Sequence, residues 1–208
     1  MTELSGHMGA RGAPVPDLVV DCAGHDAITE FGPRILRTGI DLIVASPGAL
    51  AETSVHTRLQ AGASSGNARL VLPSDAIGGL DLIRALSQSE TPRIGYRGVK
   101  PPTEWKDTAA EALVDLDILP EPFLIFEGTA LEAALAFPRN TNVVATLALA
   151  GPGLDPTRVE LIADPHATGN QHFYSMNSSM CRFAIAIAGV GSATYTRPSQ
   201  TTVLSILD

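Results

Sequence analysis

The sequence predicts an α/β protein: a parallel sheet built from βαβ units, followed by an α+β portion with a mixed or antiparallel sheet. Three observations carry this. Short continuous apolar runs at Leu18–Cys22 and Asp41–Ala45 read as strands covered on both faces. Helical stretches separate the early strands over short loops, which implies a parallel sheet with right-handed crossovers. Near the end, strands at Val159–Ala163, His172–Met176 and Arg182–Ala188 follow one another with no helix between them.

Taken in order, residues 1–16 are Gly- and Pro-rich without periodicity and read as a flexible lead-in. Gly6, Gly9 and Gly12 suggest a phosphate loop, but their spacing is G-x-x-G-x-x-G, no strand precedes them, and Pro14 and Pro16 stand where a helix should run. Strand Leu18–Cys22 leads to a helix over Ala27–Arg37, strand Asp41–Ala45, a helix over Thr53–Gln60, a strand at Arg69–Leu72 and a helix over Leu80–Leu86. A polar stretch, Ser87–Arg93, places a boundary near residue 90, dividing the chain into a lead-in (1–16), a first unit (17–90) and a second (91–208). The second unit opens with strands at Arg93–Lys100 and Pro122–Phe126 around a polar excursion holding Trp105. Helices at Ala130–Phe137 and Val143–Leu149 precede the three consecutive strands, and a last helix starts near Thr201.

Composition narrows the partners. The chain has 208 residues, enough for one large domain or two small ones, and 45% hydrophobic against 17% charged residues is globular composition. A net charge of −8 argues against nucleic acid and anionic membrane surfaces. No apolar run approaches the length of a membrane span, and residues 1–16 lack the apolar core of a secretory signal. Cys22 and Cys181 lie in apolar, strand-like contexts and read as buried free thiols of a reducing compartment, so the cytoplasm is the expected location.

Several segments offer chemistry. His172 follows the TGNQ turn at a strand start, and alternation puts His172, Tyr174 and Met176 on one face. A half-exposed histidine there titrates near neutrality, as a general acid or base must; the plainer reading is a hydrogen-bonded structural residue. Asn142 begins a helix, where its plain role is the N-cap and its functional role is hydrogen bonding to a carboxamide. Pro73–Gly79, which contains Ala76, follows a strand and opens a helix at the edge where open α/β sheets bind ligands, although a bare turn explains it equally well. Gly62–Gly66 matches the G-x-S-x-G of hydrolases, but here a helix precedes and a strand follows, so it reads as a loop. Asp164, His166 and His172 match no standard metal spacing, and no metal is expected.

With those segments in place, the chain resembles the L-aspartate dehydrogenase family. The matching pieces are DLVVDCAG (17–24), DLIVASPGALA (41–51), LPSDAIGGLD (72–81), YRGVKPP (96–102), FEGTALEAALAFPRNTNVVATLALAG (126–151) and VELIADPHATGNQH (159–172). The resemblance implies an NAD- or NADP-dependent oxidoreductase with a Rossmann unit and an α+β unit that carries the catalytic groups and makes a homodimer. It implies oxidation of L-aspartate to iminoaspartate, which feeds NAD biosynthesis or hydrolyses to oxaloacetate and ammonia. By position, His172 matches the catalytic histidine, and Ala76 and Asn142 match cofactor-contacting residues. His172 would accept or relay the ammonium proton and orient the substrate. Lys100 and Arg139 are candidates for pairing with the substrate carboxylates, the plainer reading being solvated charge. Small residues Ala184, Ala186 and Ala188 alternate with Phe183, Ile185 and Ile187, which hints at a covering layer such as a second subunit.

The family pattern also departs in places. Its opening strand, G-x-G-x-x-G turn and ribose-binding group are not found in this sequence, so an incomplete Rossmann unit with an exposed first strand and poor cofactor affinity is expected, whether by truncation or by a start read too late. Asp75 stands where the family has a small residue. A catalytically weak or silent chain serving as a binding or assembly subunit is the alternative function.

Overall fold

The computed structural model describes residues 14–190 and 200–207; the glycines at 6, 9 and 12 fall outside them. The first sheet is wholly parallel, in the order β1 (Leu18–Asp21), β2 (Asp41–Val44), β3 (Leu70–Val71). Helices α1 (His25–Arg37) and α2 (Thr53–Gly66) cover it, with a 3-10 turn at Pro47–Ala51 between β2 and α2.

Three expectations are corrected here. β1 is not covered on both faces but is the exposed first strand that the departure from the family pattern leads one to expect: it pairs only with β2 among the described residues, and Leu18 and Val20 stand 46% and 39% exposed. The thiols follow suit, since Cys22 and Cys181 are both exposed and unpaired. An apolar run reports strand propensity, whereas cover depends on what packs beside it. The Gly62–Gly66 stretch, in turn, is the last turn of α2, not a loop. Its glycines let α2 press on α1: a Cβ at Gly62 would lie 2.7 Å from the Pro33 carbonyl oxygen, and one at Gly66 1.9 Å from that of Leu36.

The second sheet is mixed, in the order β5 (Phe123–Thr129), β6 (Arg158–Ala163), β4 (Arg93–Lys100), β7 (Gln171–Asn177), β8 (Arg182–Ala188). β4 runs parallel to β6 and antiparallel to β7. On one face lies the larger apolar core, containing Trp105, Leu147, Leu161 and Met176. Helix α3 (Leu80–Leu86) contributes Leu80, Ile83 and Leu86 to that core, although it precedes residue 90 in the chain. The expected alternation holds on both hairpin strands: His172, Tyr174 and Met176 are buried, and Phe183, Ile185 and Ile187 pack on the core while the alanines between them face outward.

Helix α4 (Ala130–Ala136) starts with a capping box in which Thr129 and Glu132 bond each other's backbone N–H. Helix α5 (Asn142–Ala150) is apolar nearly all round and joins the two cores, as such a helix must to be buried. Val144, Leu147 and Ala148 belong to the larger core, while Leu149 packs on the smaller one around Leu36, Leu42 and Leu59. This placement brings the N-terminus of α5 against the turn after β2. Helix α6 (Gln200–Leu207) ends the described chain. Among the described residues, no helix is long and apolar enough to cross a membrane.

Candidate active site

A cleft of about 520 Å³ opens where the carboxyl ends of β1 and β2 face the second sheet. Cys22, Ala45 and Ser46 form one side; Lys100, Asn140, Asn142 and His172 form the other. Ala76 and Arg139 line it as well, so the residues singled out from sequence converge. Val203, Ile206 and Leu207 of α6 supply an apolar rim.

His172 sits at the start of β7, opposite Gly98 of β4. It is not half exposed but buried, at 4% accessibility, and its Nδ1 lies 2.7 Å from the Tyr96 hydroxyl. Burial first, and the nearby Lys100 cation second, push its pKa down to about 4. The imidazole is therefore neutral across the physiological range. Strand position alone conceals this, because the cover comes from distant segments.

Asn142 is the first residue of α5, and Thr141, not Asn142, is its N-cap. The Asn142 Oδ1 accepts a hydrogen bond from the Gly48 N–H at 3.2 Å. The loop holding Ala76 is pinned by Tyr174, whose hydroxyl donates to the Gly78 carbonyl at 2.6 Å and accepts from the Gly78 N–H at 3.2 Å. Asp75, in the left-handed region at φ 56°, is buried and accepts a hydrogen bond from the Thr202 hydroxyl of α6. Burial raises its carboxyl above the usual range, against opposing contributions from the Thr202 bond and from Lys100.

Lys100 is buried at 8% accessibility, with Nζ 3.4 Å from the Asn140 carbonyl oxygen and 5.7 Å from the Trp105 ring centre. Solvated charge is thus excluded for Lys100, whereas Arg139 is exposed at the cleft margin. Sequence reasoning missed Asn140. Its Nδ2 donates to the Glu104 carbonyl at 2.8 Å, while its Oδ1 is buried without a hydrogen-bond partner among the described residues. The only local signal was its place in the Asn140–Asn142 cluster.

Ligands of open parallel sheets bind outside the carboxyl ends of the strands, where this cleft lies. Apolar walls, amide groups and a buried neutral histidine suit a nicotinamide ring and a small amino acid side by side. Fold and site together define an oxidoreductase of the nicotinamide-dependent class. Residues 81–208 match the family model "Aspartate dehydrogenase, C-terminal", and residues 3–73 match "Homoserine dehydrogenase, NAD binding domain". The chain is 46% identical over 191 residues to an L-aspartate dehydrogenase of Ralstonia pickettii, covering 92% of this chain and 72% of that protein. It is 43% identical to that of Ruegeria pomeroyi, with coverage of 92% and 70%. The crystal structure of aspartate dehydrogenase from Thermotoga maritima superposes with a TM-score of 0.77 at 29% identity, over 93% of this chain and 75% of that one. The chain belongs to the L-aspartate dehydrogenase family.

Proposed function

We infer that the protein oxidises L-aspartate at Cα to iminoaspartate, which hydrolyses to oxaloacetate and ammonia, with NAD or NADP as hydride acceptor. The observation that carries this is the convergence of His172, Asn142, Ala76 and Lys100 on one cleft at the carboxyl ends of β1 and β2. The bound cofactor supplies a ring that takes the hydride. The residues around it do the rest. Asn142, held by Gly48, and the Ala76 loop, held by Tyr174, flank the ring site. Lys100, buried and cationic, pairs with a carboxylate of the dianionic substrate, and Arg139 meets the second carboxylate at the margin. His172 contacts the substrate and orients Cα so that its hydrogen points at the ring.

In this reading residues 17–90 form the cofactor unit and residues 91–208 the catalytic unit, with α3 packing on the latter. The chain works in the cytoplasm, feeds NAD biosynthesis and pairs as a homodimer through the outer face of the second sheet. Phe173, Ala184 and Ala186 support that pairing, since they line an open concavity there together with the charged Arg97, Glu127, Arg158 and Glu160.

The test is aspartate-dependent formation of the reduced nicotinamide. The expected result is activity with either NAD or NADP, lowered by about a hundredfold in His172→Ala, the scale of lost substrate positioning. Absence of turnover in the unaltered chain, or full turnover in the variant, overturns the assignment.

A further inference from the structure

We propose that Tyr96 is a positioning residue that fixes the tautomer of His172: it donates its hydroxyl hydrogen to Nδ1, so that Nε2 presents an N–H to the cleft. The proposal deepens the functional reading above and rests on His172 being the group that meets the substrate.

The geometry is built by strand register. Antiparallel pairing of β4 with β7 sets Gly98 opposite His172 and Tyr96 opposite Tyr174. Tyr96 and Gly98, two apart on one strand, share a face. The Tyr96 ring leans along the strand over Gly98, and a Cβ there would come within 2.8 Å of the Tyr96 hydroxyl oxygen and 2.9 Å of its Cε1. Glycine at 98 is therefore what lets the phenol reach the imidazole. Gly98 has no positive φ, so the close approach, not the backbone conformation, calls for glycine.

The direction of the bond follows from partner counting. Tyr96 is buried at 4% accessibility, and His172 Nδ1 is the only hydrogen-bond partner of its hydroxyl among the described residues. A phenol hydrogen with one acceptor in reach goes to that acceptor. Were Nδ1 to carry the proton and donate to the phenol oxygen, the hydroxyl hydrogen would be buried with nothing to meet. Burial also holds the phenol in its protonated form, far above its ordinary range, so the hydroxyl remains a donor. A neutral imidazole accepting at Nδ1 carries its hydrogen at Nε2.

The chemistry then differs from that of a general base. An Nε2–H cannot accept the ammonium proton; it donates to an acceptor, which on an amino-dicarboxylate is a carboxylate oxygen. The substrate ammonium gives one proton to water. The free amine is the form that would lose hydride from Cα to a bound nicotinamide, the nitrogen lone pair closing the C=N bond. His172 holds the substrate throughout and stays neutral.

The test uses the full chain with ¹⁵N-labelled histidine, following ring tautomers by NMR. The His172 signals are assigned by their loss in His172→Gln. The unaltered protein should show the Nε2–H form, and Tyr96→Phe should shift it to a mixture or to the Nδ1–H form. Aspartate turnover should fall roughly ten- to a hundredfold in kcat, by analogy with the loss of a partner that orients a metal-bound histidine, with cofactor affinity unchanged. Gly98→Ala, which displaces the phenol, should reproduce both effects. An Nδ1–H tautomer in the unaltered protein, or no tautomer shift in Tyr96→Phe, overturns the proposal. A tautomer shift accompanied by full turnover in His172→Gln instead overturns the role of His172 in the reaction, so the two failures are separable.

Discussion

Asn142 accepts a hydrogen bond from the Gly48 N–H at 3.2 Å, and this contact ties the turn after β2 to the first residue of α5. A Cβ at Gly48 would fall 3.0 Å from the Asn142 Oδ1 and 3.0 Å from the His25 ring, so the turn has room only for glycine unless both neighbours give way. Asn142→Ala leaves a part-buried N–H without its partner, at a cost of about 1 kcal/mol. The expected outcome is a modest loss in thermal stability and a several-fold higher KM for NAD or NADP. Gly48→Ala should move both quantities in the same direction. An Asn142→Ala protein with unaltered melting temperature and unaltered KM would show that the contact matters to neither.

The buried imidazole makes stability depend on pH. In the unfolded chain His172 takes up a proton near its ordinary pKa of 6.5, whereas in the folded protein it does so only near 4. Between these values the unfolded state binds more protons, so stability is complete above about pH 6.5 and is lost as pH falls toward 4. The full span is worth about 3 kcal/mol at 1.36 kcal/mol per pKa unit. Denaturant unfolding at pH 7.5 and at pH 5 should show a decline that His172→Gln reduces. The other groups whose charge is felt at this pair are Lys100, which acts on His172, and Asp75, which acts on Tyr96. Equal declines in both proteins would place the acid sensitivity elsewhere.

Much of this fold was legible because the signals were local. Strand and helix periods located every strand and α-helix of the described residues, though not the 3-10 turns such as Pro47–Ala51, and alternation assigned the buried faces of β7 and β8 correctly. Cover was not legible in composition. Leu18–Cys22 reads as a buried strand from its residues alone; its exposure, expected from the departure from the family pattern, goes with the lack of a second neighbour among the described residues. The same applies at the site. His172 was found from its segment, but its burial, its neutral state and its bond to Tyr96 depend on a pairing across 76 residues. Asn140 was passed over because an orphaned acceptor is a property of packing, invisible to spacing.

Asp75 shifts stability in the opposite sense to His172. Its carboxyl titrates above the ordinary range, chiefly through burial, so the folded state takes up a proton more readily than the unfolded one. As pH rises through that window the folded state loses stability relative to the unfolded chain. Asp75→Asn removes the ionisation, still accepts from the Thr202 hydroxyl, and tolerates the left-handed φ of 56°. The variant should melt above the unaltered protein at pH 8, with the difference closing as pH is lowered toward 4. A constant difference across that range would show that the change acts through packing and not through charge.

Tyr174 lies opposite Tyr96 in the β4–β7 register, but it serves the cofactor side of the cleft. Its hydroxyl makes two bonds to Gly78, at 2.6 Å to the carbonyl and 3.2 Å from the N–H, and thereby fixes the loop that carries Ala76. Gly78 itself is exposed, so in Tyr174→Phe water replaces both bonds and the stability cost stays at about 1 kcal/mol or less. The loop loses its anchor all the same. The expected outcome is a several-fold rise in KM for NAD or NADP, with little change in melting temperature. The His172 tautomer should be unaffected, because Tyr174 makes no hydrogen bond to the imidazole. If the KM were unchanged while the melting temperature fell by several degrees, Tyr174 would be a core residue and the Ala76 loop would owe its position to other contacts.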